Sequence, residues 1–190
     1  MDSFKLIALT GAARHGKDTA ARYIDLHTGG LPRVALASYL KLQVMDIIET
    51  SSLQVLDQRK NDEDDNVREL LQTTGDITKR LNGNDFYSRI LLDKLLTMYE
   101  NKDTTALLTD LRYVAEYNEL ISTATRFFVG RGVTFELIVI KIVRDNVKIK
   151  QSGHSSESEL DKIPYDYLIK NNGTIYDLEK RVRNVVDQCY

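Results

Sequence analysis

The sequence offers one cysteine, Cys189, beside the C-terminal residue. One thiol can form neither an internal disulfide nor a Cys-based zinc site, and this usage is compatible with a reducing compartment. A basic excess is missing too. The chain has 26 Lys and Arg against 28 Asp and Glu, a formal net charge of −2, which gives no electrostatic footprint for a nucleic-acid polymer. No apolar run approaches the roughly 20 residues needed to span a bilayer. A membrane partner is therefore not expected, and a cytoplasmic location is. Met1-Asp2-Ser3-Phe4-Lys5 leads straight into a strand pattern. Internal repeats and persuasive Ser-His-Asp or paired-carboxylate constellations are lacking. His27 falls at a helix end, and His154 has no companion at metal-ligand spacing, so zinc is not expected.

What remains is a folded, water-compatible composition, 42% hydrophobic and 28% charged over 190 residues. That length fits a single α/β domain, 1–190. Its organising stretch is Gly11-Ala12-Ala13-Arg14-His15-Gly16-Lys17-Asp18-Thr19. Both glycines and the lysine keep the spacing of G-x-x-x-x-G-K-[ST], in which backbone N–H groups wrap a phosphate and the lysine reaches the outer phosphates. The hydroxyl expected after the lysine is replaced by Asp18, and Thr19 follows one place later. Residues 5–10 read as a buried strand, and Ala20, Ala21 and Ile24 continue as a helix face. A helix N-terminus adds oriented N–H groups and a positive dipole end, which makes residues 11–19 a candidate ATP site.

Further along, Gly29-Gly30 stops the first helix and Pro32 follows. Residues 34–37 read as a short second strand, with Ser38 as the cap of a helix carrying Leu40, Val44, Ile47 and Ile48. From Thr50 the periodicity dissolves. The acidic run 61–65 reads as a solvated loop or helix lead-in, and the helix after it fades at Thr73-Thr74-Gly75. Residues 82–84 form a turn, and Asp85 caps a helix bearing Phe86, Ile90, Leu91, Leu95 and Met98. Residues 105–109 form a third strand that delivers Asp110 to the sheet's C-terminal edge, where ligands bind in such folds. A helix from Val114 to about Phe128 and a fourth strand over 135–143 follow. After a polar stretch at 145–159 comes a fifth strand at 167–169. Thr174 and Asp177 form a capping box for the last helix, with Ile175, Leu178, Val182 and Val185 as its stripe. Alternating strands and helices predict a parallel sheet covered on both faces. The 38–105 crossover exceeds what a single helix needs and reads as a helical arm for a second substrate.

Triphosphate binding calls for Mg2+, with Asp18, Thr19 and Asp110 as candidate ligands; a direct contact from Asp18 or from Thr19 is left open. A helix cap is the alternative role for Asp110. Arg112 and Arg144 fall at the ligand edge, where phosphoryl transfer needs charge neutralised more than protons moved. Lys17, Asp110, Arg112 and Arg144 are thus the candidate catalytic set.

The chain resembles the bacteriophage deoxynucleoside monophosphate kinases of the P-loop kinase superfamily, related in fold to adenylate kinase. The matching segments are Gly16-Lys17-Asp18-Thr19-Ala20, Ala37-Ser38-Tyr39-Leu40-Lys41, Arg68-Glu69-Leu70-Leu71-Gln72 with Gly75 and Arg80, Asp110-Leu111-Arg112-Tyr113 with Glu116, and His154-Ser155-Ser156-Glu157 followed by Asn171-Asn172-Gly173-Thr174. The resemblance implies a three-layer fold on a five-stranded parallel sheet, with an acceptor-binding arm at about 38–105 and a short lid at about 144–160. It implies ATP as donor with Mg2+, and a deoxynucleoside monophosphate held by Lys41, Arg68, Gln72, Arg80 and Arg112. A host cytoplasm follows if the chain is phage-encoded; a homodimer is left open. Without the resemblance, Arg68, Arg80 and Lys41 read equally as solvated helix charges and Gln72 as a surface residue. A P-loop kinase for a phosphomevalonate- or dephospho-CoA-type acceptor, and a non-catalytic ATP-binding switch, are the alternatives.

Overall fold

The computed structural model describes residues 2–61, 66–83, 85–145 and 159–190. Residues 62–65 of the acidic run, Asn84, His154 and most of the 145–159 stretch lie outside them. Among the described residues five strands form one parallel sheet in the order β2-β3-β1-β4-β5. They are β1 (Ser3–Thr10), β2 (Arg33–Val34), β3 (Thr105–Leu111), β4 (Thr134–Val143) and β5 (Tyr167–Lys170). The strand β1 sits between β3 and β4 and pairs with both over most of its length. Covered on both faces, it has no need of alternation and reads as a continuous apolar run.

The pleat divides that run between two cores. Phe4, Leu6 and Ala8 face α5 (Phe86–Glu100) and the helical stretch formed by α6 (Val114–Glu119), a π-helical turn (Leu120–Ala124) and α7 (Thr125–Val129). Ile7 and Leu9 face α1 (Lys17–Thr28) and the C-terminal α8 (Ile175–Cys189). On the first face Phe128 stacks between Phe4 and Phe135, at 5.0 and 5.4 Å between centroids. The three-layer α/β fold is therefore as expected.

The arm contains α2 (Ala37–Ile47), α3 (Leu53–Asn61) and α4 (Val67–Asn82). Val44, Met45, Leu56, Val67 and Leu71 give these helices a small core of their own. Four local expectations change here. Residues 53–61 are helical, where periodicity was lost; the helix has one fully buried position, Leu56, so its sequence carries no apolar stripe. The helix α4 does not fade at Gly75 but runs on to Asn82, with Gly75 buried beside Leu40. Strand β2 ends at Val34 and α2 begins at Ala37, so Ser38 lies inside the first turn and is not its cap. Asp85 occupies the N-cap position of α5 but makes no capping hydrogen bond; its carboxylate pairs with Arg89 at 3.2 Å.

At the other end of the chain the Thr174–Asp177 capping box forms as expected. The buried stripe of α8 is Leu178, Val182, Val186 and Cys189, while Ile175 is 66% exposed.

Candidate functional site

Residues 11–19, Asp110 with Arg112, and Arg144 lie at the carboxyl ends of β1, β3 and β4, neighbours along one edge of the sheet. Gly11 takes φ +142° and Gly16 φ +97°, both in the region that favours glycine. Space is as restrictive as conformation: a Cβ on Gly11 would lie 2.2 Å from the Ile142 carbonyl oxygen, and one on Gly16 2.5 Å from Asn171 Nδ2. Arg14 also takes a left-handed φ, +64°, an uncommon choice for a side-chain-bearing residue that clusters at binding loops. Asn171 Nδ2 donates to the His15 carbonyl at 3.0 Å, while His15 Nδ1 lies 3.3 Å from the Ile142 carbonyl. The loop is thus braced by the ends of β4 and β5.

No side chain caps α1 at Gly16. Its first-turn N–H groups are oriented donors with a positive dipole end, an anion site in the making. Lys17 Nζ donates to the Gly11 and Ala12 carbonyls, at 2.6 and 2.9 Å. Burial, with the Arg112 guanidinium next, brings the Lys17 pKa down to about 8; Asp18 and Asp110 oppose this and Lys60 adds to it. That displacement from 10.5 disfavours the ammonium by roughly 3 kcal/mol, a penalty that an anionic ligand relieves.

Asp110 serves an element far away in sequence. Its Oδ1 accepts from Leu36 N–H at 2.7 Å and its Oδ2 from Ala37 N–H at 2.9 Å, so it caps α2 across the sheet edge. The helix it caps is not the one that follows it. A carboxylate has about four acceptor sites, which leaves capacity for further partners. Asp18 is exposed and Thr19 half-buried on the first turn of α1. These hard oxygen donors suit Mg2+, which binds through one or two carboxylates alongside substrate phosphates. Among the described residues there is no cluster of three or more His, Cys, Asp or Glu that could hold a metal.

On the arm, Lys41 Nζ pairs with the Asp57 carboxylate at 2.9 and 3.2 Å. Lys60, one turn beyond Asp57, is a cation that sequence reasoning missed along with its helix. Burial lowers its pKa, then Lys41; Asp57 opposes, and Arg112 and Arg68 lower it further. Lys17, Lys41, Lys60, Arg68 and Arg112, from four helices and the exit of β3, therefore share one electrostatic neighbourhood. Arg68 and Arg112 are exposed and Gln72 half-buried. On α4, residues 68, 72, 75 and 79 lie within about 60° of one another, and residue 80 sits about 120° from residue 68. The structure accordingly brings Lys79 to the β3 exit, where its Nζ lies 4.2 Å from the Tyr113 ring centroid, while Arg80 is exposed elsewhere on the helix.

Arg144 is exposed at the end of β4, next to Asp145. Asn172 holds this point: its Oδ1 accepts from Asp145 N–H at 2.8 Å and its Nδ2 donates to Asp145 Oδ2 at 2.6 Å. After the undescribed segment, buried Lys141 fixes the returning chain through Asp161 Oδ1 at 2.8 Å and the Leu160 carbonyl at 3.3 Å. A lysine inside the longest apolar strand was its only signal in the sequence.

Neither a protein-family profile nor a curated protein sequence matches the chain. Solved structures do. A candidate kinase from Chloroflexus aurantiacus j-10-fl is 14% identical, with all of both chains covered and a TM-score of 0.50. A sugar kinase from Janibacter sp. HTCC2649 is 14% identical, covering 98% of this chain and 96% of that one, with a TM-score of 0.49. Shikimate kinase from Aquifex aeolicus VF5 is 13% identical over 96% of each chain, at 0.46. At such identities the likeness is one of fold. The fold so shared is a three-layer α/β one, a five-stranded parallel sheet with helices on both faces, and in this chain a glycine-lysine loop follows its central strand. Among the described residues no helix is long and apolar enough to cross a membrane.

Proposed function

We propose that the protein transfers the γ-phosphoryl group of ATP to a deoxynucleoside 5′-monophosphate, giving ADP and a deoxynucleoside diphosphate. The observation that carries this reading is the cationic neighbourhood shared by Lys41, Lys60, Arg68 and Arg112 beside the Lys17 loop. A phosphate loop accounts for one polyanion. Asp57 offsets part of this charge through Lys41, and the cations beyond it call for a second anion, for which a phosphate monoester has the right size and charge.

In this reading residues 11–19 wrap the ATP phosphates, and Lys17 leaves its loop carbonyls for the outer ones. Asp18 or Thr19, with Asp110 at hand, would hold Mg2+, which would supply neutralisation of phosphate charge. Lys41, Arg68, Gln72 and Arg112 hold the acceptor, with Lys60 added from α3; Arg80 stands farther out on α4. An oxygen of the acceptor phosphate forms the new bond to the γ-phosphorus, and the bond from that phosphorus to the β–γ bridging oxygen breaks, releasing ADP. The attacking oxygen is ionised at neutral pH, so no general base is required. Arg112 and Arg144 offset charge on the moving phosphoryl group.

The test is ADP formation from ATP and Mg2+ with each of the common dNMPs in turn, against ATP alone. Acceptor-dependent ADP with one or more dNMPs is expected. No ADP above background with any dNMP sinks the reading; turnover with phosphomevalonate or dephospho-CoA in the same assay moves the acceptor class. Tight ATP binding without turnover on any acceptor points to a switch module.

A further inference from the structure

Behind Arg112 lies Glu116, 8% exposed. Its Oε2 accepts from the backbone N–H groups of Arg112 and Tyr113, at 3.0 and 3.1 Å. Its Oε1 lies 3.8 Å from Lys79 Nζ on α4. Lys79 in turn sits over the Tyr113 ring at 4.2 Å and lies 6.0 Å from the Tyr87 centroid. A glutamate at the third position of a helix reaching back to cap it is common. That cap is present here in the bond from Tyr113 N–H, and it requires only this one N–H. Here the carboxylate is buried, takes two N–H groups and keeps a lysine from the arm as counter-ion; desolvating a charge is costly unless it is paired.

We propose that Glu116 is a positioning residue that sets the Arg112 backbone and, through Lys79, latches the arm to the β3 exit. The two sides of the acceptor site, Arg68 and Gln72 on α4 and Arg112 on the sheet, then keep one relative geometry. The inference rests on the acceptor reading above. The groups facing Glu116 are Lys79 from α4, Asp110 from β3, whose charge opposes it, and the Arg112 and Tyr113 N–H groups. The next N–H, that of Val114, is taken by Glu159 at 3.3 Å.

The experiment compares Glu116→Gln, which retains the acceptor oxygen for both N–H groups, with Lys79→Met, which retains the stem. The double variant and wild type complete the cycle. Each single variant is expected to raise the KM for the dNMP about ten-fold, with the KM for ATP within about two-fold, and the double variant to add little to either. A residue that merely caps α6 would leave both KM values unmoved in Glu116→Gln and Lys79→Met, and that result overturns the latch while the kinase reading stands. Lys79→Met decides the matter alone if Glu116→Gln does not fold. Should wild type turn over no dNMP, the kinase reading is what fails. Amide exchange then reads the latch: faster exchange of α4 in both variants supports it, and unchanged exchange overturns it.

Discussion

Asp110 Oδ1 and the backbone N–H of Leu36 lie 2.7 Å apart, joining the end of β3 to the start of α2 across the carboxyl edge of the sheet. Two charge-assisted bonds to one helix N-terminus make Asp110 a structural cap as well as a candidate for the Mg2+ shell. Asp110→Ala is expected to lower stability by about 1–2 kcal/mol and to abolish turnover. Urea midpoints and ADP formation read the two effects. Unchanged stability would refute the cap; full activity would refute the site role.

Gly16→Ala puts a Cβ 2.5 Å from Asn171 Nδ2 at a φ of +97°. Either Asn171, which braces the loop through the His15 carbonyl, or the strained loop itself must shift, so ATP affinity is expected to fall by at least about ten-fold while the helical circular dichroism persists. Calorimetric titration of ATP into the variant checks it, and wild-type affinity would contradict the loop assignment.

Lys17→Met removes a buried ammonium whose pKa is already down at about 8. Turnover is expected to drop by a factor on the order of 10²–10³, with no fall in the urea midpoint. Lost stability in step with lost activity would mark Lys17 as a structural lysine instead.

Glu116 titrates at about 7 in the folded protein against 4.5 as its ordinary value, with burial as the main cause. The folded state therefore binds more protons than the unfolded chain between these pH values. The contribution is fully present below about 4.5 and is lost as pH rises through about 7. Lys79 and the two N–H groups limit the rise, and Asp110 increases it. Relative to wild type, Glu116→Gln is expected to gain roughly 3 kcal/mol between pH 4.5 and pH 8. Paired denaturant titrations across that range test this, and a constant difference would contradict it.

Cys189 is buried and its thiol pKa is raised, mainly by burial. Alkylation of the native protein at pH 8 is expected to be much slower than of the urea-unfolded chain. Equal rates, followed by mass spectrometry, would show the end of α8 to be open.

Much of the frame was legible before any coordinates. The β1 strand, the glycine-lysine loop, the Gly29 stop, the β3 strand with Asp110 at its end and the Thr174–Asp177 box all declared themselves through signals contained within a few residues. The arm was harder. Helix α3 buries one side chain and so leaves no stripe, and Gly75 looks like a stop when it is a buried interior position of α4. Lys60 and Lys79 escaped notice for the same reason. A lysine on a polar helix has no local mark, and what distinguishes these two is their neighbours.

The sequence by itself determined where backbone must turn, where an anion can be wrapped and which segments bury both faces. Periodicity, φ preference and capping are short-range, and each is decided by side chains within about one turn or a few strand positions. Only the tertiary structure decided the order β2-β3-β1-β4-β5 and the capping of α2 by Asp110. It also decided the gathering of cations from four helices and the β3 exit, and the pairing of Lys79 with Glu116. Those outcomes depend on how long crossovers pack back onto the sheet. Their free energy is spread over many apolar contacts, and no single residue records it in the chain.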